Sequence, residues 1–290
     1  MAWKDRGVLA YLLITFGVSW AGMFAVRLLL GMSLADPLAQ LSMAFVPAIA
    51  AFVVRRWVTG EGFGDAGLAL RLRSAWPYYL AAWFGPPALV VMSAGIAAAT
   101  GLADPSLASF DDVLPGLPGW AFLLLLVGLI PLLSPLYWGE EFGWTGYLRL
   151  RLFPGRPVLA SVVTGLIWGA WHYPLAFLGY VEYADVVAGL LIWTVSFQFQ
   201  EILLGWLRQR SGSIWPSSLA HAGNNMVLFL LVGMLLGKEG ARFGGSATDL
   251  IVMGPLVLAS ILVVVGGRGR RSPRNAVTGS GRAAGAVGAG

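Results

Sequence analysis

The feature that most constrains this chain is the recurrence of apolar runs of about twenty residues, separated by short polar segments. A helix of that length crosses the hydrocarbon core of a bilayer. Only helices and closed barrels can satisfy every backbone N–H and C=O there. Eight such runs are read from the sequence, at 8–30, 37–58, 75–100, 118–137, 157–178, 185–207, 214–236 and 249–266. The first is too long for a cleaved signal peptide and lacks a convincing small-residue cleavage site, so it is expected to remain as a span. Composition agrees, since 58% of residues are hydrophobic and 11% charged, against about 25% charged in soluble domains. The expected fold is all-α, a polytopic membrane helix bundle of about eight transmembrane helices. Residues 1–266 form one transmembrane domain. Residues 267–290, rich in Gly, Ala, Arg and Ser, are expected to be a disordered basic tail.

Charge orients the bundle. With eight spans and the N-terminus inside, the cytoplasmic segments hold Lys4, Arg6, Arg55, Arg56, Arg71, Arg73, Arg149, Arg151, Arg156, Arg208 and Arg210. The tail adds Arg268, Arg270, Arg271, Arg274 and Arg282, leaving only Arg27, Lys238 and Arg242 of the 19 basic residues elsewhere. The opposite loops carry Asp36, Asp104, Asp111, Asp112, Glu182, Asp185, Glu239 and Asp249. This asymmetry predicts cytoplasmic N and C termini. Trp3, Trp57, Trp76, Trp120, Trp206 and Trp215 fall near span ends, as interfacial aromatics do. The net charge of +5 is dispersed over short loops and forms no nucleic-acid-binding face. The expected partners are membrane lipids, with the tail arginines near anionic headgroups.

Few ionisable residues remain at membrane depth, where each is a functional hypothesis. They are Glu140, Glu141, His172, Glu201 and His221. There are no cysteines, which excludes disulfides, thiolate nucleophiles and cysteine-ligated zinc. Helical rise puts Glu140 ~16 Å, His221 ~10 Å and His172 ~22 Å from the cytoplasmic end of their spans. Tilt can gather them into one polar centre, expected in the cytoplasmic half of the membrane.

Adjacent helical positions diverge by ~100°, so Glu140 and Glu141 cannot face one centre. Thr145 lies four residues after Glu141 and can donate its hydroxyl to it. Glu140 is then the freer carboxylate, and removal from water suits it to act as a general base. The bland alternative is an acid pair lining a water-filled cavity or pairing with arginine. His172 follows Trp168 by one turn and precedes Pro174, which marks a kink or helix end. Asn225 lies four residues after His221, so ring and carboxamide are expected on one face. Two neutral donors suit an oxyanion in a dry site. They equally suit an interhelical hydrogen-bond pair. Glu201 lies seven residues before Arg208 and is read as a structural ion pair with the loop arginines. The set reads as water-mediated hydrolysis of a carbonyl, with Glu140 and His172 activating water and His221 with Asn225 binding the oxyanion.

Three stretches, Glu140-Glu141-Phe-Gly-Trp-Thr145, Trp168-Gly-Ala-Trp-His172 and His221-Ala-Gly-Asn-Asn225, resemble the motifs of the CPBP family of intramembrane endopeptidases, also called the Abi or type II CAAX prenyl protease family. The resemblance covers residues 118–236. It implies an eight-helix peptidase with a catalytic role for Glu140, His172, His221 and Asn225 and a supporting one for Glu141. Two positions depart. Thr145 stands where the family has arginine, which removes a cationic partner for Glu141; Arg149, one turn on, is the residue expected to reach back in its place. Trp168 stands where phenylalanine is common. The implied partner is a membrane-anchored protein or peptide substrate. Ala, Gly, Arg and Leu usage suggests a GC-rich bacterial genome, hence a multi-pass protein of the plasma membrane. Zinc is a possible cofactor, held by Glu140, His172 and His221. Metal-free hydrolysis is favoured, because the chain lacks His-Glu-x-x-His and a metal on those ligands leaves the oxyanion unattended. A non-catalytic scaffold or immunity protein and a proton-coupled transporter are the competing function classes.

Overall fold

A computed structural model describes residues 3–268 except 103, 112, 182, 184, 230, 233 and 235–244. The expected basic tail therefore lies almost wholly outside the described residues. The described chain is helical, with no strand among the described residues. Helices α1 (Trp3–Phe24), α2 (Pro37–Ala44), α3 (Val46–Val53), α4 (Leu72–Ala99), α5 (Gly119–Gly143), α6 (Arg149–Arg151), α7 (Pro157–Trp171), α8 (Tyr173–Phe177), α9 (Val186–Ser211), α10 (Trp215–Gly223) and α11 (Gly245–Arg268) follow in order. Six continuous rods among the described residues are long and apolar enough to cross a membrane. They are Arg6–Leu29, Pro37–Val58, Leu72–Ala99, Gly119–Arg151, Pro157–Phe177 and Val186–Ser211. A seventh apolar helix, Leu250–Gly266, is shorter. The expected span 214–236 begins as α10 and continues as a π-helical turn, Asn224–Phe229, before passing partly outside the described residues. The chain is an all-α multi-pass membrane protein.

Local chemistry sets the boundaries. Asp36 caps α2 through Leu38 N–H, and Pro37 supplies the preset first-turn φ. Asp185 caps α9 through Ala188 N–H, and Gly212 ends α9 in the left-handed region at φ 67°. The fourth rod outlasts its apolar run. The apolar run suggests an end near residue 137, but helical structure persists for 33 residues to Arg151, about 50 Å of rise. The polar residues after 137 are buried against other helices, not exposed to solvent. Glu140, Glu141, Thr145 and Arg149 are all buried. A π-helical turn, Trp144–Leu148, interrupts this rod just after the acid pair. Such bulges let a helix re-aim its side chains without ending.

Packing depends on close backbone approach. A Cβ on Gly165 of α7 would meet Gln198 Cα of α9 at 2.7 Å. One on Gly223 of α10 would meet Pro86 Cγ of α4 at 2.6 Å. Small residues at these crossings let helices associate where no hydrophobic drive separates them from lipid.

One end of the bundle is closed by the loop between 59 and 71. Arg55, fully buried, donates to Asp65 Oδ1 at 2.6 Å, to Gly62 O at 2.7 Å and to Gly146 O at 2.7 Å. Arg151 pairs with Glu61 at 2.6 Å, and Arg208 donates to Asp65 O at 2.6 Å. Trp215 Nε1 donates to Leu68 O at 2.9 Å. Burial raises the Asp65 pKa, but the hydrogen bond and charge of Arg55, with the charge of Arg151, outweigh it. They hold the carboxyl below the usual carboxylate range.

Candidate active site

Glu140 and Glu141 diverge as helical geometry requires, and each has a distinct set of partners. Glu140 Oε2 accepts from Trp168 Nε1 at 2.9 Å and from Trp144 Nε1 at 3.3 Å. Two indole N–H groups fix that oxygen. Glu140 itself lines a cavity of about 700 Å³. Glu141 Oε2 accepts from Thr145 Oγ at 3.0 Å, the bond expected from their spacing. Glu141 Oε1 bonds His221 Nδ1 at 2.9 Å. A carboxylate only accepts, so Nδ1 carries the hydrogen and His221 keeps its Nε2 lone pair. The ring is wedged between Tyr137, at 4.8 Å between centroids, and Trp168, at 5.1 Å.

His172 follows the end of α7. Its Nδ1 bonds Trp168 O at 2.9 Å, one turn back. A carbonyl only accepts, so this ring also keeps Nε2 free. It stacks on Phe197 at 4.5 Å and meets Trp171 edge-on at 4.7 Å. His172 therefore has a fixed tautomer and a fixed ring plane. Trp168 joins the two histidines, touching both rings and donating to Glu140.

Glu140, His172 and Asn225 line the same cavity, with Tyr137 and Gln200. Tyr137 hydroxyl is in hydrogen-bond reach of Asn225. His221 is not on the lining and stands behind it. The expectation that His221 and Asn225 share one face is thus met only in part. The π-helical turn beginning at Asn224 changes the register after His221. It sends Asn224 inward, to Gln200 Oε1 at 3.4 Å, and leaves Asn225 exposed to the cavity.

Two expectations about arginine partners are corrected. Glu201 does not pair with Arg208. It is fully buried on α9, and its Oε1 lies 3.8 Å from Arg149 Nε. Arg208 instead turns outward to the 59–71 loop. Arg149 reaches Glu201 and Ser161, whose Oγ accepts from its Nε at 2.9 Å, and makes no hydrogen bond to Glu141 among the described residues. Thr145 and His221, not an arginine, are the partners of Glu141. The zinc set of Glu140, His172 and His221 does not converge. Among the described residues, no three His, Asp or Glu side chains come together closely enough to hold a metal ion. Sequence reasoning also missed Trp144, although its position four residues after Glu140 carries the signal. Tyr137 and Gln200 bring no such signal, because only the folded cavity joins them to Asn225.

No curated protein matches the chain. A family model described as type II CAAX prenyl endopeptidase Rce1-like matches residues 114–227. That segment includes all three motifs, and it bears out the resemblance drawn from them. The part of the chain that supplies Glu140, Glu141, His172, His221 and Asn225 is thus similar to the type II CAAX prenyl endopeptidase Rce1-like family.

Proposed function

We propose that this chain is an intramembrane endopeptidase that hydrolyses a peptide bond of a membrane-associated substrate with a water activated by Glu140 and His172. The observation that carries the reading is the joint exposure of Glu140, His172 and Asn225 on one cavity inside an apolar bundle. The family match over residues 114–227 supports peptide hydrolysis as the reaction class.

In this mechanism, Glu140 takes a proton from water while His172 Nε2 accepts the water's second hydrogen bond and aims it. The oxygen adds to the carbonyl carbon, and the carbonyl oxygen becomes an oxyanion. Asn225 donates to that oxyanion from the cavity wall. Collapse breaks the C–N bond, and the proton held by Glu140 passes to the leaving amine. Trp144 and Trp168 hold the base in place, and Glu141 with Thr145 holds His221. No step is routed through a metal, because the donor set does not converge on one. The Thr145 departure does not argue for a silent scaffold, since Thr145 supplies Glu141 with a hydrogen bond of its own.

The test uses the full chain reconstituted in vesicles with membrane-anchored peptide reporters. Glu140→Gln is expected to lower the cleavage rate by roughly 10²–10⁴-fold, the usual worth of a general base, with thermal stability and expression retained. Cleavage at the wild-type rate by folded Glu140→Gln would overturn the assignment. The substrate acts within a bacterial plasma membrane in this reading.

A further inference from the structure

We propose that α1 carries an internal water-binding seam, formed by Tyr11, Thr15 and Ser19, that joins a small chamber under the 59–71 loop to the Glu140 cavity. The hydration stands on the packing of α1 alone. The use of that water as nucleophile rests on the peptidase reading.

α1 buries one face, Gly7, Tyr11, Thr15, Ser19 and Met23, each four residues after the last. The three central residues carry hydroxyls, and all three are fully buried. None of these hydroxyls makes a hydrogen bond among the described residues. Those of Tyr11 and Thr15 come near each other without reaching hydrogen-bond geometry. Elsewhere in the bundle, buried hydroxyls donate to the carbonyl four residues back in their own helix. Thr194 does so to Leu190 O at 2.6 Å, Ser211 to Leu207 O at 2.6 Å and Ser218 to Ile214 O at 3.0 Å. Thr15 and Ser19 do not take that bond. A buried hydroxyl left unpaired is costly, so three in line call for a shared partner. A buried water makes about three hydrogen bonds and fits that need. Four residues of helix rise ~6 Å. One water bridges that span with two hydrogen bonds of about 2.8 Å.

Each end of the seam meets a cavity. At the first, a Cβ on Gly7 would lie 2.7 Å from Thr59 Cγ2 and 2.8 Å from Tyr147 Oη. Thr59 and Tyr147 line a polar chamber of about 180 Å³ with Glu61, Asp65 and Arg151. The Tyr147 hydroxyl is buried and makes no hydrogen bond among the described residues, and its ring packs on Tyr11 at 4.9 Å. At the other end, Met23 and Trp171 line the Glu140 cavity. Trp171 Nε1 is likewise buried with no hydrogen-bond partner among the described residues. Trp171 O accepts from Trp20 Nε1 at 3.0 Å, which holds the end of α7 against α1 beside Ser19. Between the two, Tyr11 Oη reaches α5 close to the acid pair, 2.6 Å from where a Cβ on Gly143 would lie.

Unpartnered polar atoms therefore run from one cavity to the other, past the helix that carries Glu140 and Glu141. A polypeptide seated in the larger cavity covers Glu140 from bulk water. The seam then supplies water by a route that the substrate does not occupy.

Radiolytic hydroxyl labelling tests this on the full chain in vesicles, because the radicals arise from water beside the side chain they oxidise. Phe142, 3% exposed and stacked on Trp138 at 5.0 Å, is the dry reference. After correction for intrinsic reactivity, Tyr11 is expected to be oxidised severalfold faster than Phe142, although it is 0% exposed. Thr15→Val combined with Ser19→Ala removes two hydroxyls with little change of volume and should bring Tyr11 down towards the Phe142 rate. Wild-type Tyr11 oxidised as slowly as Phe142 overturns the seam, and that comparison needs no variant to fold. Equal Tyr11 oxidation in the wild type and the folded double variant also overturns it. A dry Tyr11 with Glu140→Gln inactive removes the seam alone. A hydrated Tyr11 with cleavage intact in Glu140→Gln removes the peptidase reading alone.

Discussion

Thr145→Val is the sharpest probe of how the second acid is supported. Thr145 and Glu141 are both fully buried. The threonine hydroxyl lies 3.0 Å from Glu141 Oε2 and 2.9 Å from the Glu141 carbonyl oxygen. It has one hydrogen, and the carboxylate is the stronger acceptor. Valine keeps the shape and removes the donor, leaving a buried oxygen short of a partner. A hydrogen bond to a charged group contributes about 1.5–3 kcal/mol. At ~2–4 °C per kcal/mol for a chain of this size, the unfolding midpoint in detergent should fall by roughly 3–12 °C. Thr145→Ser retains the hydroxyl and should recover most of that loss. The decisive assay is a double-mutant cycle with Glu141→Gln. If the hydroxyl acts through the carboxylate, Thr145→Val should cost at least about 1 kcal/mol less in the Glu141→Gln background. A Thr145→Val change below about 0.5 kcal/mol, or the same loss in both backgrounds, would refute the reasoning.

Other perturbations follow from the same geometry. The folded Asp65 carboxyl is held below its ordinary range, so its stabilisation is complete above the unfolded value near ~3.9 and is lost as pH falls through the folded value. Thermal midpoints of the wild type should therefore drop below about pH 4, and Asp65→Asn should remove that component of the slope. Glu201→Ala leaves buried Arg149 without its carboxylate and should cost about 3–5 kcal/mol, whereas replacing both by methionine should be far milder in the same melts. Gly165→Ala drives a methyl into the α9 backbone and should cost about 1–3 kcal/mol, read by the loss of monodisperse protein on heating.

The membrane bundle was legible because lipid leaves little choice. A run of apolar residues bounded by arginines or aspartates has one way to satisfy its backbone. The acid pair and both histidines were legible as exceptions to that rule. Local i to i+4 geometry correctly joined Thr145 to Glu141. It failed at His221 and Asn225, because a π-helical turn inserts itself after Gly223 and nothing in residues 221–229 announces it. It failed again at Glu201. Proximity in sequence favoured Arg208, but packing brings Arg149, which donates to Ser161 of α7, to that acid on α9. The fourth rod outlasts its apolar run for a related reason. Its polar residues Glu140, Glu141, Thr145 and Arg149 are interior because surrounding helices supply their partners.

The central claim is that Glu140 activates water and forms no bond to the substrate. A single turnover in ¹⁸O-labelled water, with enzyme in excess over a membrane-anchored peptide, distinguishes the two directly. Mass spectrometry should find one ¹⁸O in the new C-terminal carboxylate of the product and none in the Glu140 peptide. Unlabelled product with ¹⁸O in Glu140 would contradict the account, since it requires the carboxylate itself to have attacked the carbonyl.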